Sequence, residues 1–116
     1  MELNHHMESQ DVLVLELRVE KLTAGNAPVF LEAAKALTLD GGKVVLDLTG
    51  VQFIDSIGLG ALLSFLKYLT DLKAQMHLCE LSHNVIEQFK LMRLHRTFKI
   101  HGNRADAIQG FEGLQS

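Results

Sequence analysis

Asp55 and Ser56 set a carboxylate beside a hydroxyl, and Gly58 and Gly60 follow at alternate positions within Asp55-Ser56-Ile57-Gly58-Leu59-Gly60. The apolar run Val44–Leu48 and the dipeptide Phe53–Ile54 precede it and a leucine-rich helical stripe follows it, so Val44–Leu69 reads as a buried strand, a loop and a helix N-terminus. Three chemistries suit a serine at that place. Its oxygen could accept a hydrogen bond from one of the unpaired N–H groups of the first helical turn. The same amides and the positive end of the helix dipole would accommodate a phosphate carried on Ser56. Gly58 and Gly60 remove side-chain bulk, which would let a partner's backbone or a nucleotide approach closely. Asp55 could be no more than a helix-start carboxylate.

Catalytic and nucleotide-binding readings fit less well. A nucleophile elbow needs glycine on both sides of the serine, and Ile54 stands where the first would be. A dinucleotide cradle needs a further glycine where this chain has Leu63, and no Gly-Lys-Ser/Thr phosphate loop is present. A receiver domain would carry an acidic pair after its first strand, which Glu20-Lys21-Leu22-Thr23 does not supply. His5, His6, His77, His83, His95 and His101 are scattered. His83 and Glu87 share a helical face, but two ligands do not make a metal site, so no metal and no cofactor is expected. Cys79 is the single cysteine, which excludes an intrachain disulfide.

With 116 residues the chain suits one domain, and its net charge of −3, from 11 basic and 14 acidic residues, gives no basic surface for direct nucleic-acid binding. No apolar stretch reaches the ~18 residues of a membrane span, and residues 1–10 show no signal-peptide core, so a cytoplasmic protein is expected.

The elements that must position Ser56 follow from periodicity. Residues 1–10 read as a flexible lead-in, and residues 11–116 as the domain. Leu13, Leu15, Leu17 and Val19 alternate with Val14, Glu16 and Arg18, predicting a half-exposed strand. Asn26 can cap a helix with Pro28 in its first turn, with Phe30, Ala33, Ala34 and Leu37 facing inward and Gly41–Gly42 ending it. Val44–Leu48 reads as a strand covered on both faces. Leu59, Leu62, Leu63, Leu66 and Leu69 form the stripe of the next helix. Met76, Leu78 and Leu81 suggest a strand, and Ser82 a cap for a helix facing inward with Val85, Ile86, Phe89 and Met92. An edge strand at Phe98–His101 and a last helix at Ala105–Phe111 complete the alternation. The prediction is an α/β fold, a mainly parallel, mixed sheet of about four to five strands with helices packed on it.

Asp55 to Gly60, preceded by the Val44–Leu48 strand, resembles the D-S-x-G-L-G signature of STAS domains, which include the bacterial anti-sigma factor antagonists. Leu22 to Val29 is similar to that family's loop into its first helix, and the resemblance extends over about residues 10–112. It implies a STAS-type fold and a non-enzymatic binding module. The implied partner is an anti-sigma factor that is also a serine kinase. That kinase would phosphorylate Ser56 and so switch binding off, and a serine phosphatase would restore it. Asp55, Ser56, Ile57, Gly58, Leu59 and Gly60 are the implied partner-binding residues, with Thr23 and Asn26 on the neighbouring loop. Thr23 stands where many relatives carry an acidic residue, and Ile57 where a serine is common. The alternative within the family is a non-phosphorylated scaffold or a transporter-accessory subunit. Neither the motif nor the composition specifies an oligomeric state.

Overall fold

Short apolar runs that alternate with amphipathic helices can bury both strand faces only if helices cover both sides of the sheet. The computed structural model, which describes residues 2–8 and 11–113, shows that arrangement. The elements in chain order are β1 (Leu3–Glu8), β2 (Val12–Leu17), β3 (Lys21–Leu22), α1 (Ala27–Leu37), β4 (Lys43–Asp47), β5 (Phe53–Ile54), α2 (Ser56–Asp71), β6 (Gln75–Cys79), α3 (His83–Leu91), a short 3₁₀ turn (Leu94–Arg96), β7 (Lys99–His101) and α4 (Arg104–Gly113). A five-stranded sheet runs β1-β2-β4-β6-β7, parallel except for the antiparallel β1–β2 pair. The fold is thus the single mixed α/β domain expected.

On one face, α1, α2 and α3 enclose the main core, with Phe30, Leu62, Phe65, Leu69 and Phe89 against Leu15, Leu46 and Leu78. On the other face α4 alone covers Val12, Val14, Val45 and Cys79 with Ala107 and Phe111. This corrects the half-exposed reading of β2, whose Val12 and Val14 are buried together with Leu15 and Leu17, because α4 takes the face that a free strand would leave to water.

Residues 3–8, inside the stretch read as a lead-in, form β1. It is held by backbone pairing to β2 although His5, His6 and Met7 are exposed, so it carries little apolar periodicity; Met1, Ser9 and Gln10 lie outside the described residues. On α2 the buried stripe includes Phe65, while Leu63 faces solvent. Met92 caps α3 rather than packing beneath it. Helix α1 stops at Leu37, before the glycines, where Thr38 turns extended and its hydroxyl donates to Lys35 O at 3.1 Å.

Helix α4 is tied to the sheet by two polar contacts. At its start Arg104 donates to Asp47 Oδ2 through Nε at 3.1 Å and Nη2 at 2.7 Å, and Nη2 also pairs with Glu16. In its middle the Ala107 carbonyl accepts from His77 Nδ1 at 3.0 Å. His77 is 2% exposed and stacks on Phe111 with ring centroids 3.8 Å apart. With Nδ1 donating, Nε2 is left as a buried acceptor without a partner among the described residues. Burial, helped by His101 and Lys99, holds the His77 pKa below the ordinary histidine value.

The unfolded chain therefore binds a proton that the folded chain refuses once pH drops below about 6.5. His77 leaves stability intact above that pH and erodes it as pH falls toward its depressed folded pKa. We expect the denaturation midpoint to decline between pH 7 and pH 5.5 and the decline to flatten in His77→Gln, as read by urea titrations at each pH.

Candidate functional site

Helix α2 begins at Ser56, and the geometry around that start is built from three separate parts of the chain. Parallel pairing of β3 with β5 sets Leu22 beside Ile54, and the Asp55 N–H donates to Leu22 O at 3.1 Å. Asp55 is the N-cap: its Oδ1 accepts from Gly58 N at 2.8 Å, and its Oδ2 accepts from Ala24 N at 3.2 Å on the β3–α1 loop. One carboxylate thus ends the helix and clamps the neighbouring loop.

The loop is shaped by Asn26. Its Oδ1 accepts from Thr23 N at 2.8 Å and its Nδ2 donates to Lys21 O at 2.8 Å. Asn26 occupies the N-cap position of α1 but spends its side chain on the loop instead of the helix. From the far side Gln88 of α3 acts like a strand neighbour, donating to Ile54 O at 2.6 Å and accepting from Ile54 N at 3.3 Å. No sequence signal pointed to Gln88 beyond a polar residue set between the buried Val85 and Phe89.

Because Asp55 caps the helix, the Ser56 hydroxyl is not needed for that purpose. Ser56 is exposed, and no hydrogen bond to its Oγ is found among the described residues. Ile57 is 51% exposed beside it, and Gly60 also faces solvent. Gly58 and Leu59 do not: both are buried, Leu59 in the main core. A Cβ on Gly58 would stand 2.3 Å from Leu22 O, so this glycine serves close packing inside the chain, whereas one on Gly60 would meet nothing within 4 Å. The surface on offer is therefore Ser56, Ile57 and Gly60, flanked by exposed Ala24 and Gly25, with Asp55, Thr23 and Asn26 holding it in place.

Removing the Asp55 carboxylate should have a measurable cost. We expect Asp55→Ala to lose about 1 kcal/mol of stability, and Asp55→Asn much less since it keeps an accepting oxygen. Urea denaturation of both variants distinguishes this cap from a spectator carboxylate.

Sequence reading also missed the cluster of Glu16, Asp47 and Arg104, whose members are far apart in the chain. Burial pushes the Asp47 carboxyl up, but bonds from Thr49 and Arg104 outweigh it and hold it below the ordinary range. Arg104 holds Glu16 down as well, and the two carboxylates raise the Arg104 pKa against its burial. The adjoining cavity of about 60 Å³ is far smaller than the ~300–1,000 Å³ of a typical ligand pocket, so the cluster serves to seat α4. Among the described residues no group of three or more His, Cys, Asp or Glu side chains is placed to hold a metal ion, and no helix is long and apolar enough to cross a membrane.

Comparison with known proteins agrees with this fold. The STAS domain family model matches residues 7–107. BtrV of Bordetella bronchiseptica, named as an anti-sigma factor antagonist, is 34% identical over 84 residues, covering 71% of this chain and 72% of its own. The crystal structure of a Thermotoga maritima protein described as an anti-sigma factor antagonist superposes with a TM-score of 0.81 at 26% identity, over 93% of this chain and 92% of that one. A murine anion transporter, Solute Carrier 26 family member A9, contains the same fold in 18% of its chain, matching 92% of this one with a TM-score of 0.81 at 19% identity.

Proposed function

Since this chain belongs to the STAS domain family, we propose that it is an anti-sigma factor antagonist whose docking surface centres on Ser56 and is switched off when Ser56 is phosphorylated. The partner is an anti-sigma factor that is also a serine kinase, a serine phosphatase reverses the modification, and the site of action is the cytoplasm, where sigma factors work. Its relatives are named for antagonising a regulator and not for a reaction, and the reading here is likewise of a binding protein that catalyses nothing.

One observation carries the proposal: Ser56 offers an exposed hydroxyl at the first residue of a helix whose cap is already supplied by Asp55. A phosphate can be added or removed there without breaking a bond that the fold uses. Once added, it brings about −1.5 to −2 charges and three acceptor oxygens. It sits at the positive end of the α2 dipole, so the free protein tolerates it. In a complex the same group must be desolvated next to Asp55, and there it is unfavourable.

The test is phosphosite mass spectrometry on the protein isolated from its own host under growth and stress. Phosphate on Ser56, absent from Ser56→Ala, is the expected result. An unmodified Ser56 under every condition would instead favour the non-phosphorylated scaffold or transporter-accessory role.

A further inference from the structure

The charges of this chain are unevenly distributed. No Asp or Glu occurs between Gln88 and Asn103, whereas Lys90, Arg93, Arg96 and Lys99 all fall there, in a chain whose net charge is −3. All four cations are exposed, and none takes part in a salt bridge among the described residues. Leu94 and Phe98 turn into the main core and anchor the segment. At the end of α3, the last helical residue Leu91 is 84% exposed and the C-cap Met92 is 56% exposed. Glu87 is the one carboxylate on α3.

Exposed cations in the same short segment as protruding apolar side chains complement a surface that is anionic outside and apolar beneath. A second feature adjoins it. Thr97 and Lys99 border a cleft of about 250 Å³ whose other walls include Leu66, Ala74 and Met76. This recess, apolar at Leu66, Ala74 and Met76 but polar at Thr70 and Gln75, has the mixed lining next to a lysine that suits an amphiphilic anion.

We infer that the segment Lys90–Lys99 is a peripheral contact for anionic phospholipid bilayers, with Leu91 and Met92 entering the headgroup boundary and Lys90, Arg93, Arg96 and Lys99 pairing with lipid phosphates. The contact is independent of Ser56 and holds whether or not the antagonist role does. Its strength is modest and salt-dependent, because four exposed cations attract such a surface only within a Debye length.

Sedimentation of the purified full chain with vesicles tests this. The chain is expected to pellet with phosphatidylglycerol–phosphatidylcholine vesicles at low salt, to be released at high salt and to ignore phosphatidylcholine alone. Lys90→Gln, Arg93→Asn and Arg96→Gln together should lower partitioning on the order of a hundredfold; Asn is chosen at position 93 because Arg93 has a left-handed backbone, φ 58°. Leu91→Ser with Met92→Ser should lower it by about tenfold or more. All five positions are exposed, so thermal melting should stay cooperative; if one variant set fails to melt cooperatively, the other carries the test. Absence of binding to the anionic vesicles overturns the inference. So does binding that Leu91→Ser with Met92→Ser leaves intact while heparin or duplex DNA competes equally well, which would identify a generic polyanion patch.

Discussion

Ser56→Asp should bind the cognate anti-sigma factor kinase at least a hundredfold more weakly than the native chain, while Ser56→Ala binds it undiminished. A hundredfold corresponds to only about 2.7 kcal/mol, and truncating or mismatching a desolvated charge at an interface commonly costs ~2–5 kcal/mol. The fold itself must be indifferent to the change, and the geometry provides for that. The cap bond to Gly58 N comes from Asp55, so alanine at position 56 removes nothing the helix relies on. The first turn of α2 contains no acidic residue. Aspartate at position 56 should therefore stabilise the free protein by up to about 0.3–1 kcal/mol through the helix dipole, less whatever Asp55 takes back by repulsion. Titration calorimetry beside thermal melting separates the two quantities: affinity drops sharply while the melting temperature holds or rises. Unchanged affinity in Ser56→Asp would end the switch hypothesis, and lost affinity accompanied by lost melting would assign the effect to folding instead.

Gly58→Ala should be the most damaging small substitution in the motif, costing about 2–4 kcal/mol. The added methyl would lie 2.3 Å from Leu22 O, 3.0 Å from Leu22 C and 2.8 Å from Ile54 Cγ2. Two of those atoms are backbone, so relief requires moving β3 away from the first turn of α2. That movement also disturbs the Asp55 N–H bond to Leu22 O and the Asp55 link to Ala24. Destabilisation and loss of partner binding should therefore arrive together. Gly60→Ala is the control: its methyl meets nothing within 4 Å, and a helical alanine in place of glycine should add about 0.5–1 kcal/mol. Denaturant midpoints for the pair test the packing argument directly. Equal effects at the two positions would refute it.

The strand, loop and helix around Ser56 were legible in the sequence because their chemistry is local. An aspartate and spaced glycines mark that turn within a few residues, next to a two-residue strand in which Ile54 is buried and Phe53 is exposed. Which residue caps α2 was not legible, since Asp55 and Ser56 are both good caps and only backbone geometry decides between them. The inward placement of Gly58 and Leu59 was hidden for a related reason: Leu22 lies more than thirty positions earlier, as the Ala24–Asp55 bond spanning 31 residues shows. Nor could periodicity reveal that β2 is buried on both faces. That depends on α4, whose apolar stripe amounts to Ala107, Ile108 and Phe111, and on an ion pair between Arg104 and Asp47, 57 residues apart. Long-range polar contacts of this kind leave no pattern in a single sequence, whereas the amphipathic stripes of α1 and α3 do.

Cys79 sits beneath α4 in the smaller core, with its thiol pushed up to about 12 by burial. A thiol so shielded and so poorly ionised is inert toward alkylating reagents while the helix is seated. Its modification must wait for α4 to lift, and the chain has no other cysteine to confuse the signal. The native sequence therefore contains its own stopwatch. The labelling rate of Cys79 reports how often one helix departs from an otherwise intact body, a partial opening that global unfolding experiments average away.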